Sequence, residues 1–270
     1  MRTLYIKIGA GTILFLMLIA LTSPIIAPHD PEKIDLEQEL SGATMSHPLG
    51  QDKLGRDILS RILYGARISI MVGFAVVGIS LAVGVSVGSI AGYVGGTLDT
   101  LIMSLIDILL AFPGILLAIA ITGILGPSLN HVILSLCIMG WVGYARIVRA
   151  QILSIREREY ILAAKALGLS PCRIIFRHIL PNTLSPVIVE ATFGIAGAIL
   201  AESSLSFLGL GPQDVPTWGG MLNEGVDFLL FAPHVATFPG LAIMITVMGF
   251  NFLGDGLRDH FDPRKQNRPA

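Results

Sequence analysis

"EREYILAAKALGLSPCRIIFRHILPN", Glu157 to Asn182, is a charged, helix-forming stretch set in a chain that is otherwise largely apolar. Tyr160, Ala163, Ala164 and Leu167 recur at the i, i+3, i+4, i+7 spacing of one helical face, with Arg158 and Lys165 away from it. Gly168 follows where a left-handed residue normally closes a helix. Ser170 and Pro171 then supply an N-cap and a first-turn proline, so a second short helix begins at once. Its apolar face holds Ile174, Ile175, His178 and Ile179, flanked by Arg173 and Arg177, and Pro181 is expected to stop it. Helices this short are marginal in water, because nucleation is costly and few hydrogen bonds follow it. The stretch must therefore pack against the ends of its own spans or against a soluble partner. A helix lying at lipid headgroups would not need the small surface of Ala163, Ala164 and Gly168, which favours docking.

The surroundings are those of a membrane protein. Of 270 residues, 53% are hydrophobic and only 14% charged, and mean hydropathy is +0.75. A hydrocarbon core about 30 Å thick needs roughly 20 apolar residues per crossing helix, and six stretches qualify: 8–27, 69–92, 99–123, 130–150, 183–206 and 235–256. The expected fold class is thus an all-α integral membrane protein with six transmembrane helices. The first stretch is long enough to span and lacks a clear small-residue cleavage site, so it reads as a retained helix. Three regions are expected: 1–66, an N-terminal helix and loop; 67–257, a core carrying the insert 151–181; and 258–270, a tail. Lysines and arginines fix the orientation. Arg2, Lys7, Arg146, Arg149, Arg156, Arg158, Lys165, Arg173, Arg177, Arg258, Arg264, Lys265 and Arg268 fall on one side, so both termini and the insert read as cytoplasmic.

Several function classes are disfavoured. The net charge of -1 gives no basic field for nucleic acid. Two cysteines cannot form a disulfide framework, and the histidines, His29 and His47 among them, are scattered without ligand spacing, so no metal site is expected. Ser203, Ser204 and Ser206 have no histidine nearby in sequence, and no phosphate-binding G-x-x-x-x-G-K-[ST] loop occurs. No ATPase site and no cofactor of its own are therefore expected in the chain.

Within the spans, Gly84, Gly88 and Gly92 form small-xxx-small steps, suited either to packing inside the chain or to a subunit interface. Pro113 and Pro239 fall inside the third and sixth stretches, where proline bends a helix. Asp107, Glu190 and Glu202 are costly acids in apolar helices and are candidates for a translocation pathway, the alternative being hydrogen bonds to a neighbouring helix.

"AAKALGLSPCRIIFRHILP" resembles the EAA loop of ATP-binding-cassette importer permeases, a pattern of Glu-Ala-Ala, three residues, Gly, nine residues and Ile-x-Leu-Pro. Ala163, Ala164, Gly168, Leu180 and Pro181 match, while Leu162 replaces the glutamate and His178 the isoleucine; Glu159, one turn earlier, could stand in for the missing carboxylate. "HPLGQDKLGRDILSRILYGARISI" (His47 to Ile70), "ESSLSFLGLGPQDVPTWGGMLNEG" (Glu202 to Gly225) and "GFNFLGDGLRDHFDPR" (Gly249 to Arg264) are similar to the second permease of dipeptide, oligopeptide and nickel importers. The resemblance implies a type I importer permease fold in the inner membrane. It also implies a second homologous permease, two cytoplasmic ATPases that bind ATP and Mg, and an extracytoplasmic solute-binding protein. The ATPase-docking surface would comprise Glu159, Tyr160, Ala163, Ala164, Gly168, Arg173, Arg177 and Pro181. Cargo would be peptide or, alternatively, nickel or another metal chelate. A rival from a different class is an ion-coupled secondary transporter using Asp107 and Glu190, although no inverted repeat of broken helices is evident.

Overall fold

A computed structural model describes residues 2–261, and among these the regular structure is helical. Helix α1 covers Arg2–Ile26, α2 Ile58–Val94, α3 Gly96–Leu110, α4 Gly114–Leu125 and α5 Leu129–Ile155. The insert contributes α6, Glu159–Ala166, and α7, Pro171–Ile174; α8 is Leu180–Phe207, α9 Trp218–Val226 and α10 His234–Phe261. Arg264, Lys265, Arg268 and most of the 258–270 tail lie outside the described residues.

Five helices are long and apolar enough to cross a membrane, and α3 with α4 makes a sixth crossing if the pair is one span. That pair is broken rather than gently bent. Its halves meet at 80° across Ala111 to Pro113, because Pro113 has no N–H to continue the ladder and adopts an extended ψ of 116°. Pro239 behaves differently: α10 runs through it unbroken, since it lies so near the helix start that few interior bonds are lost.

Two expected boundaries move by three turns or more. Helix α2 starts at Ile58 rather than 69, because Asp57 caps it, its Oδ2 accepting the Ser60 N–H at 2.8 Å. At about 1.5 Å per residue this 37-residue helix is roughly 55 Å long and projects well beyond the hydrocarbon. Nor does Pro181 stop the helix that begins at Pro171. A five-residue π segment, Ile175–Ile179, joins α7 to α8, with Leu180 N–H donating to Ile175 O, and Pro171–Phe207 is one continuous span. The widened turn resets the hydrogen-bond register so that Pro181 falls in the first turn of α8, where its missing donor is tolerated.

The bundle is organised around α2 against α5. A methyl group on Gly84 or Gly88 would come within 2.5 Å of Tyr144 Cβ or Ala145 O, and one on Gly92 within 3.0 Å of Ile152 Cβ. The small-residue stripe is therefore consumed inside the chain, where it lets two backbones touch. Helix α1 lies along α10, with Tyr5 stacked on Phe252 at 5.8 Å and Gly249 facing Thr12. Between the two pairs, Val77, Tyr144, Ile195, Ile199 and Phe250 form a common core. Leu14, Phe15, Leu21 and Ile124 remain on the outside, as a lipid-facing surface requires.

Gly88→Leu should wedge α2 from α5 and lower the thermal midpoint of the detergent-solubilised chain, at a cost of about 1–3 kcal/mol or more. Gly78→Leu, in the same helix but with open space beside it, should leave the midpoint unchanged.

Candidate functional site

The insert is built on the end of α5. Arg156 donates to Gly92 O at 3.0 Å, and Arg149 to Asp99 Oδ2 at 2.6 Å, which ties that end to the α2–α3 corner. Helix α6 closes with a Schellman turn: Leu169 N–H donates to Ala164 O and Gly168 N–H to Lys165 O, with Gly168 at φ +76°. Ile161, Ala164, Ile174 and Ile179 pack against Val148, Ile152, Ile155 and Val187, so the insert is seated on its own bundle. Lys165 lies over the Tyr93 ring, 5.4 Å from its centre.

This seating divides the expected docking residues. Glu159, Tyr160, Ala163, Gly168, Arg173, Arg177 and Pro181 are exposed. Ala164 is not: it is 7% exposed and faces the bundle, because Ile161 and Ala164, one turn apart, are the positions that meet α5. The helical face was thus read about one residue out of phase. The exposed side instead carries Tyr160, Leu162, Leu167 and Phe176, with Leu167 80% and Phe176 71% exposed. These four apolar side chains, exposed at several points of the insert outside the core of the bundle, make up its apolar ridge; Leu162 and Phe176 are absent from the expected docking residues.

The three intramembrane acids have different surroundings. Glu202 is fully buried and accepts from Ser206 Oγ at 2.7 Å and Ser203 Oγ at 3.4 Å, an arrangement that holds the end of α8 together. Glu190 borders two clefts. One, of about 280 Å³, is lined by Ser80, Tyr144 and Gly197; the other, of about 720 Å³, by Gln151, Ser185 and Arg258. Asp107 is exposed on α3, shortly before the break. Neither the Glu190 nor the Asp107 side-chain carboxylate has a hydrogen-bond or ion-pair partner among the described residues.

At the other end of the bundle, the segment from 28 to 57 and helix α9 form a cap. Trp218, 1% exposed, inserts beside Gly65 and donates from Nε1 to Ile62 O at 3.0 Å. A charge clamp joins the two parts. Arg56 donates to Asp52 Oδ2 at 2.8 Å and to Glu224 Oε2 at 2.7 Å, and Arg61 donates to Glu224 Oε2 at 2.7 Å and also to Asp52. Sequence reasoning missed this clamp, although Asp52 and Arg56 stand four residues apart, because Glu224 is supplied from far along the chain. Next to it, His29 and His47 stack with ring centres 4.3 Å apart beside Asp57, so two histidines that are scattered in sequence are neighbours in space.

A family model for the binding-protein-dependent transport system inner membrane component matches residues 84–267. The chain belongs to that family. It is a multi-pass inner-membrane permease of an ATP-binding-cassette importer, a class that works with ATPase and substrate-binding partners. The permease is 46% identical over 261 residues to a dipeptide transport system permease protein of Alkalihalophilus pseudofirmus, covering 96% of this chain and 86% of that one. It is 43% identical over 263 residues to a glutathione transport system permease protein of Pectobacterium atrosepticum, covering 96% and 87%. A dipeptide permease of Haemophilus influenzae is 44% identical over 264 residues, covering 95% and 90%. Among solved structures, the MetNI methionine ABC transporter in an inward-facing conformation matches with a TM-score of 0.62 at 18% identity, covering 73% of this chain and 94% of that one, which shows the type I importer fold.

The clamp is expected to make the cap acid-sensitive. Burial raises the pKa of Glu224, but the Arg61 and Arg56 guanidiniums outweigh it and hold the carboxyl below the usual glutamate value. A depressed folded-state pKa means that the stabilisation is complete above the ordinary value of about 4.3 and is lost as pH falls through the depressed one. In a Trp141→Phe background, the emission of Trp218 should shift to the red only below about pH 4. With Glu224→Gln added, that acid transition should disappear, the cap being already loosened at neutral pH.

Proposed function

We propose that this permease forms half of a translocation pathway for di- or oligopeptides, the other half being a second homologous permease. In this reading both termini are cytoplasmic and two ATPase subunits hold the ATP and Mg. The ridge of Tyr160, Leu162, Leu167 and Phe176 carries the reading, because so much apolar surface on a short aqueous insert calls for a covering partner. A groove on one ATPase would take the ridge, with Arg173 and Arg177 at its rim and Glu159 near the position of the motif carboxylate that Leu162 replaces. Because Pro171–Phe207 is continuous, movement of the ridge would pass directly into α8, the helix that carries Glu190.

Peptide cargo is supported by the names of the relatives, dipeptide and glutathione permeases, which do not favour the nickel alternative. Membership of a binding-protein-dependent family sets aside the ion-coupled transporter. Glu190 and Asp107 would face the pathway, where free carboxylates suit the amino end of a peptide, whereas Glu202 would serve the helix end instead. The capped face, opposite the insert, would receive the solute-binding protein.

Leu167→Glu should leave the amount of permease in the membrane unchanged, since the side chain touches no core, yet cut ATP-driven dipeptide uptake in vesicles by roughly tenfold or more. Normal uptake would reject the ridge as the coupling surface. A cysteine at Ala163 should crosslink to the ATPase subunit, and one at Ala164 should not.

A further inference from the structure

We propose that His29, His47 and Asp57 form a binding site for one divalent transition-metal ion of the zinc class in the cap. The three residues come from different segments: His29 just beyond α1, His47 from the middle of the first loop, and Asp57 at the cap of α2. One donor atom from each lies within 4.8 Å of the others. His47 Nδ1 is 2.9 Å from Asp57 Oδ1, and His29 Nδ1 is 3.9 Å from Asp57 Oδ2. Zinc held by nitrogen and oxygen at about 2.0–2.2 Å in a tetrahedron spaces its ligand atoms roughly 3.4 Å apart. The two separations, each to a different oxygen of the carboxylate, lie on either side of that value, so the three side chains are within reach of one ion.

Three further observations fit a cation here. His29 Nδ1 is shielded from solvent and has no hydrogen-bond partner. The Asp57 carboxylate is 1% exposed and accepts the Ser60 N–H and, without metal, the His47 Nδ1–H; a dication would displace that proton to solvent, take the freed nitrogen as ligand and balance the buried charge. The ligand-bearing backbone is also already positioned, His29 N–H donating to Ser60 Oγ at 3.1 Å and His47 N–H to Thr44 Oγ1 at 3.0 Å. His29 borders a cleft of about 1010 Å³, which leaves room for a water as fourth ligand. The soft thiolates that would favour copper(I) or iron–sulfur chemistry are lacking, whereas imidazole with carboxylate suits zinc.

The test uses the full-length chain in detergent, without a polyhistidine tag, stripped with chelator and then dialysed against micromolar zinc chloride. Elemental analysis should find about one zinc per chain, and zinc K-edge absorption should show two imidazole nitrogens among the ligands. Zinc should also raise the thermal midpoint. His29→Gln and His47→Gln should each weaken zinc binding by about tenfold or more, and His29→Gln, whose Nδ1 has no hydrogen-bond partner to lose, should keep the wild-type midpoint measured in chelator. Asp57 is left intact because it caps α2. Absence of stoichiometric zinc in the wild type would overturn the proposal, as would an absorption spectrum without imidazole or a His29→Gln/His47→Gln variant that binds as tightly as wild type. None of these measurements depends on transport, so the outcome stands whatever the cargo is.

Discussion

The contact of α2 with α5 is the constraint on which the rest depends. Hydrocarbon offers helices no hydrophobic reward for associating, so van der Waals contact between bare backbone surfaces must hold them together. Gly84, Gly88 and Gly92 allow that contact over three successive turns. Because α2 is fixed at this point, both ends of the permease are fixed with it. Its last turn receives Arg156 from the base of the insert, and its first turn carries Asp57 and Arg61, around which the opposite cap is assembled.

The two ends are stabilised by different physics. The insert is held by apolar packing, with Ile161 and Ala164 set against α5 and a Schellman turn that satisfies its last carbonyls. The cap is held by charge: Arg56 and Arg61 against Asp52 and Glu224, with Trp218 as its main apolar anchor. Charge networks specify partners by geometry and respond to pH, whereas apolar ridges yield their energy only when covered. Under the proposed docking of an ATPase on the insert, the second kind of surface suits an end that engages and releases its partner.

Much of this was legible in the sequence where the signal is local. The approximate places of the spans, the Gly168 turn and the Ser170–Pro171 start follow from hydropathy and backbone chemistry, and the all-helical fold follows from the spans. What was misread lies where tertiary context decides. Pro181 stops an isolated helix, but a π segment absorbs it; Ala164 satisfies the periodicity of either face, and only α5 determines which one is buried. The Glu224 clamp and the His29–His47 pair were invisible because their members are brought together by folding and share no spacing along the chain.

The elbow between α3 and α4 has its own consequence. At the 80° break the Ala111 and Phe112 N–H groups still donate back to Asp107 O and Leu109 O, but Pro113 offers no N–H to carry the ladder across, so the next-turn carbonyls of an intact helix lose their donors there. Oil cannot solvate a bare amide. Whatever abuts this corner at membrane depth must therefore be wet or proteinaceous, which marks the elbow as a patch of the molecule that does not greet acyl chains.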